Sequence, residues 1–297
     1  MTAAKLPWWE AETEDDLQAV FSSLSAAHGS SQLLGNYCRD TAFLFVYASN
    51  QHEHTLPLGY SSQATLQLLS HLWQRVGVRD AREPATGTWY QEGGRTKAEA
   101  GVQLLQHMKA LKFFCSETLH HHLTAELLQE AFGILMDGAV TADGARVNTG
   151  FRTTPASVVT GHVYMSPEAI PRAVSTCLQQ LNTSLESAKA LGSEGIKAAP
   201  SLAAECFFQL IHRIHPFVNG NGRMGKLLLA RILMVLGAPF PVPLLNGHRK
   251  PHKHYHHVIS HYARYQHPRR LRLFILECLH FRWLDFASNA EAAAASQ

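Results

Sequence analysis

Two apolar segments stand out in the hydropathy pattern. Residues 201–214 repeat with helical spacing and place Ala204, Phe207, Leu210, Ile211 and Ile214 on one face. Residues 224–236 begin MGKLLLARILMV, are apolar nearly all round, and predict a buried helix. Helical patterns also run over 14–27 (closed by Gly29-Ser30-Ser31), 62–76, 97–112, 116–136, 167–190, 255–265 and 269–286. The apolar stretch 41–48 belongs to a further helix, at about 39–56. Loops are expected at 79–96 and 192–200, where glycine, proline and polar residues cluster. One short segment, 150–163, has β character and lies between glycine and proline. The chain therefore reads as all-α with a small β-hairpin. It divides into an N-terminal helical region (1–96), a second region (97–290, core about 125–275) and an alanine-rich tail (291–297) expected to be disordered.

The two apolar segments are joined by His215-Pro216-Phe217-Val218-Asn219-Gly220-Asn221-Gly222-Arg223. Pro216 is poorly tolerated inside a helix, so the first helix should end at about His215 and leave an imidazole at the mouth of a tight loop. That group can accept a proton near neutral pH. Gly220 and Gly222 permit close backbone approach, and the helix that follows points its free N–H groups and positive dipole end at the loop. Arg223 adds a planar fork suited to phosphate oxygens. A base beside an anion cradle is what phosphoryl or nucleotidyl transfer to a hydroxyl requires.

This string resembles the Fic (Fido) signature H-P-F-x-[D/E]-G-N-G-R. Two other stretches strengthen the resemblance. Gly150-Phe151-Arg152-Thr153-Thr154, followed by Ser157 to Val163 and Ser166-Pro167, is similar to the family's flap hairpin and the helix after it. Ser49-Asn50-Gln51-His52-Glu53-His54 is similar to the inhibitory motif [S/T]-x-x-x-E-[G/N] of the class with an N-terminal inhibitory helix. The resemblance implies an all-helical Fic fold with a hairpin flap. It also implies transfer of AMP from ATP, with Mg²⁺, to a Ser, Thr or Tyr hydroxyl of a protein target. It makes His215 the base and gives the phosphates to Gly220, Asn221, Gly222, Arg223 and Lys226. Tyr255 and Val258 become candidate contacts to the nucleotide base. Thr153, Val158 and Val159 of the flap would pair with the target. Glu53 would inhibit by reaching the active loop.

Three positions depart from the family pattern. Asn219 stands where the family has the Asp or Glu that ligates Mg²⁺, so one negative charge is missing from a site that a hard cation prefers to share with carboxylates. Lys226 replaces the arginine that pairs with the inhibitory glutamate, and an ammonium cannot make the bidentate fork. His54 follows Glu53 in place of Gly or Asn. These departures keep two other readings open: a different phosphate-containing donor or removal of the modification, and a silent Fic fold that binds a nucleotide or a partner. Retention of His215 argues against the silent fold.

Composition adds limits. A chain of 297 residues with 46% hydrophobic and 16% charged residues can build a sizeable core. A net charge of +3 gives no case for nucleic acid, and no apolar run reaches membrane-spanning length. The acidic N-terminal stretch has no signal-peptide core, and five scattered cysteines suit a reducing, cytoplasmic compartment. A homodimer is left open. The nineteen histidines include two dense clusters, 120–122 and 248–257, without the spacing of a zinc site.

Overall fold

The computed structural model describes residues 32–56, 61–76, 81–91, 93, 96–157, 162–247, 251–265 and 268–295. The expected helix at 14–27 and the flap residues Val158 and Val159 lie outside them. The described elements run α1 (Gln32–His52), α2 (Ser62–Val76), β1 (Trp89–Tyr90), α3 (Lys97–Lys112), a π-type turn (Phe113–Glu117), α4 (Ala125–Met136) and β2 (Ala139–Val140). They continue through a 3₁₀ turn (Pro167–Ala169), α5 (Ile170–Ala190), α6 (Ser193–Ile196), α7 (Ala199–Phe207) and a second π-type turn (Phe208–Ile214). The chain ends in α8 (Asn221–Val235), α9 (Pro251–Tyr265) and α10 (Arg269–Ala295).

Helix α8 is the central element. Leu227, Leu228, Leu229, Ala230, Ile232 and Leu233 are all sealed from solvent, as the uninterrupted apolar run predicts. It packs on α7, α1 and both π-type turns. Gly225 lets the chain before the loop approach closely, because a Cβ there would collide with Ile211 and Phe207. Buried Arg231 is an exception on this apolar helix. Its guanidinium donates to the carbonyls of Phe114, Thr118 and His121, closing the end of the first π-type turn.

Local signals place most boundaries. Thr96 caps α3 in a reciprocal capping box with Glu99. Thr124 caps α4 by accepting from the N–H of Leu127, so the helix expected over 116–136 starts only at Ala125 and a loop carries His120 to His122. The tail expected to be disordered is helical as far as Ala295, because alanine is the strongest helix former and continues α10.

The expected flap is present as one antiparallel bridge, Ser157 to Val163. The two-stranded sheet lies elsewhere: β1 and β2 pair in parallel, Trp89 opposite Ala139 and Tyr90 opposite Val140. Strands of two residues show no periodicity, so the 79–96 stretch reads as loop from sequence. Trp89 anchors the pair by donating its indole N–H to the carbonyl of Asp137 at 3.1 Å. Among the described residues, no helix is long and apolar enough to cross a membrane.

Candidate active site

The π-type turn before the loop ends at Ile214, and His215 adopts the left-handed conformation with φ of 50°. Its backbone N–H still reaches the carbonyl of Leu210 at 2.8 Å. The ring Nδ1 lies 2.9 Å from the carbonyl of Ile211. A carbonyl can only accept, so Nδ1 carries the hydrogen and Nε2 keeps its lone pair. Tyr164, just past the flap bridge, stacks on the imidazole at 3.8 Å between centroids. Burial holds the pKa of His215 below its usual value. The bond to Ile211 works the other way, and the nearby Arg152 guanidinium adds to the lowering. The imidazole is therefore neutral at physiological pH and oriented as a base.

Arg152 holds the flap to this loop. Its buried guanidinium donates to the carbonyl of His215 at 2.7 Å, of Thr154 at 2.7 Å, of Ile214 at 3.3 Å and of Met165. Its backbone N–H adds a bond to the carbonyl of Pro216 at 2.8 Å. Thr153, the flap residue assigned from the resemblance, is exposed beside it.

The loop closes on itself. Asn221 accepts from the N–H of Phe217 at 3.0 Å and donates to its carbonyl at 2.8 Å. Both of its amide atoms are engaged within the loop, where they fix the turn before α8. Gly220 takes φ of 75° and is the cap of α8, so the helix starts at Asn221 and Gly222 lies in its first turn rather than before it.

Glu53, in the turn after α1, packs on that first turn. A Cβ on Gly222 would collide with both Glu53 carboxylate oxygens, so only glycine permits the approach. Lys226, one turn further along α8 and 1% exposed, donates to Glu53 Oε1. Burial works to raise the pKa of Glu53, but Lys226, Arg223 and His256 outweigh it and keep the carboxylate ionised. Burial lowers the pKa of Lys226 against the opposing pull of Glu53. The neighbouring His54 takes φ of 53°, a conformation that favours the Gly or Asn common at this position of the motif.

Arg223 is buried too. Its face covers Trp89 at 5.1 Å, Nη2 points at Met136 Sδ at 3.4 Å, and Nε has no partner. Burial lowers its pKa to about 10, with Glu53 opposing. Tyr255, the candidate nucleotide contact, is buried beneath Lys226. Its ring is sealed between His52, stacked at 4.2 Å, and the Lys226 ammonium, 4.9 Å from the centroid. Val258 is likewise buried in the core.

Asn219 does not fit a protein-held Mg²⁺. Its Oδ1 accepts from the N–H of Gly220 at 2.6 Å, and its Nδ2 donates to the carbonyl of Gln91 at 3.2 Å. The loop offers no carboxylate, and the adjacent one, on Glu53, is paired with Lys226. The roles of Arg152, Tyr164 and Trp89 were not foreseen. Arg152 and its neighbours were visible only as part of a motif, and nothing in spacing reports which carbonyls a guanidinium will reach.

The profile of the Fic/DOC family matches residues 117–233. A Fido domain-containing protein of Dictyostelium discoideum is 29% identical over 129 residues, which is 43% of this chain and 85% of that protein. A Fic domain-containing signaling protein from Bacteroides thetaiotaomicron superposes with a TM-score of 0.67 at 20% identity, covering 94% of this chain and 98% of that one. Fic-1 from C. elegans superposes with a TM-score of 0.64 at 20% identity, covering 95% of this chain and 72% of that one. The structural likeness is one of fold, and it extends well beyond the matched domain. The loop from His215 to Arg223 lies inside the segment that matches the Fic/DOC family profile, so the resemblance carried by that loop and the likeness of fold fall on the same part of the chain.

Proposed function

We propose that this protein transfers AMP from ATP to the hydroxyl of a Ser, Thr or Tyr side chain on a protein target, and that Glu53 restrains it. The Fic fold supports a transferase of this type. The observation that carries the finer reading is the position of the Glu53 carboxylate. An anion sits against Gly222 in the first turn of α8, paired with Lys226 and close enough to Arg223 to feel its charge. Phosphate groups satisfy the same donors, so a nucleotide and Glu53 compete for one place.

The chemistry we assign to the residues is compatible with their geometry. The target hydroxyl attacks the α-phosphorus and its proton passes to Nε2 of His215. A bond forms between the hydroxyl oxygen and phosphorus, the α–β phosphoanhydride bond breaks, and pyrophosphate leaves. Ile211 keeps the imidazole in the required tautomer. Arg223, Lys226 and the N–H groups opening α8 stabilise the charge on the phosphates. In this reading the segment that Arg152 anchors beside the base, Thr153 included, receives the target. Any Mg²⁺ in the reaction would enter with the nucleotide, because the loop supplies no carboxylate to hold it.

A second reading is favoured by the engaged amide of Asn219: nucleotide binding with another donor, or without transfer. One experiment separates the two. Wild type and Glu53→Gly are incubated with labelled ATP, GTP, UTP and CTP, followed by intact mass. A mass gain of one AMP, larger in Glu53→Gly, supports the proposal. Binding without any mass gain supports the second reading.

A further inference from the structure

Helix α3 sends two fully buried polar side chains, Gln103 and His107, toward the loop from one turn apart. Polar atoms sealed from water are costly unless they find partners. His107 Nδ1 lies 2.8 Å from Nδ2 of Asn50. Gln103 makes three contacts when its amide is oriented so that each atom faces a complementary group. Its nitrogen donates to the carbonyl of Thr55 at 3.1 Å. Its oxygen accepts from Oγ1 of Thr55 at 3.0 Å and from Nη1 of Arg223 at 3.1 Å. Thr55 is two residues beyond Glu53. One amide therefore holds both the segment that carries the competing carboxylate and the guanidinium that would grip a phosphate.

The surroundings of Arg223 make this contact decisive. Nη2 faces a thioether, Nε has no partner, and Trp89 covers the face. Among the described residues, Gln103 supplies the one oxygen that the guanidinium reaches, and no carboxylate lies within ion-pair distance. The rotation of the guanidinium plane is thus set by Gln103. The other end of the same amide is set by Thr55, whose own N–H is tied to the carbonyl of Asn50 at 3.1 Å at the end of α1.

We propose that Gln103 is a positioning residue that couples the seat of Glu53 to the aim of Arg223. Withdrawal of the 53–55 segment removes two of the three partners of the amide and frees the guanidinium to turn. A phosphate that draws Arg223 forward loosens the hold on Thr55 in return, because coupling between two sites is reciprocal. This rests on the reading that the loop binds nucleotide phosphates.

The test uses the full chain and two readouts. The first is amide hydrogen exchange over residues 50–56 without nucleotide, in wild type, Gln103→Leu, Gln103→Glu and Arg223→Met. Gln103→Leu removes every contact of the amide. Gln103→Glu keeps the acceptor for Arg223 but loses the donor to Thr55. Exchange at residues 53–55 should rise by about tenfold in both Gln103 variants, the size of one or two lost hydrogen bonds, and measurably in Arg223→Met. Unchanged exchange in the Gln103 variants overturns the coupling. The second is calorimetric binding of a non-hydrolysable ATP analogue in a Glu53→Gly/Gln103→Leu cycle. The gain from Glu53→Gly, about tenfold with Gln103 present, should shrink to below about threefold in the Gln103→Leu background. Equal gains in the two backgrounds overturn the proposal. Raised exchange together with no binding in any variant supports the Gln103 link and overturns the phosphate reading instead.

Discussion

Lys226 Nζ meets Glu53 Oε1 across 173 residues of chain, as a single-point contact at the second turn of α8. Only one carboxylate oxygen is held by this ammonium, and the Glu53 side chain stays 29% exposed. An arginine there could hold both oxygens in a planar fork. A restraint exerted through this pair would be looser than one exerted through an arginine.

That geometry predicts a non-additive cycle. Glu53→Gly should raise transfer, by about tenfold if the pair contributes about 1–2 kcal/mol in this half-buried setting. Lys226→Arg should lower transfer in the wild type and leave it nearly unchanged beside Glu53→Gly. Rates of the four proteins check this. Independent effects would mean that the Glu53 contact does not govern access to the loop.

His215→Ala should reduce transfer by ~10²–10⁴-fold while leaving the fold intact, since the ring lies at the loop mouth rather than in the core. The pH profile gives a second check. The base works when neutral, and burial and Arg152 hold its pKa below 6.5. Transfer should stay level from pH 8 to below 6.5 and fall only in more acid solution. A profile that already declines between pH 7.5 and 6.5 would assign the limiting proton to another group.

Asn219→Asp should make transfer steeply dependent on Mg²⁺ and raise the maximal rate, because it places a carboxylate where the amide now bonds Gly220 and Gln91. Initial rates against Mg²⁺ concentration for the two proteins provide the comparison. Superimposable curves would remove position 219 from the metal's surroundings.

Acid should destabilise the fold through His52 and His107. Both are buried, and burial, helped by the Lys226 charge, drives each pKa below 6.5; Arg223 adds to the effect on His107. The unfolded chain protonates both near pH 6.5, so below that value it binds more protons than the folded chain. Stability then falls by about 1.4 kcal/mol per pH unit for each histidine and is flat above pH 7. Thermal melts between pH 8 and 5 should show the decline. His52→Phe, which keeps the stacking on Tyr255, should make the slope shallower; the remainder belongs to His107 and to the other histidines that burial depresses, His212, His215, His252 and His256. A melting temperature indifferent to pH would mean that these rings are not sealed from water.

Local chemistry made much of this protein legible before its structure. Pro216 ends one helix, the apolar run after Arg223 can only be a buried helix, and the spacing between them forces a tight loop with His215 at its mouth. These features depend on neighbours within a few residues, so the sequence by itself determines them. The partners of the same side chains come from far along the chain, and no periodicity reports them. The Asn221 amide could have faced a ligand, and it closes on Phe217 instead. Tyr255 could have lined a pocket, and α9 places it beneath Lys226 against His52. Arg152 reaches the carbonyl of His215 across 63 residues, and Gln103 on α3 joins Thr55 to Arg223. Such contacts exist only once the helices pack, because burial then obliges each polar atom to take whatever partner the neighbouring backbone brings within reach.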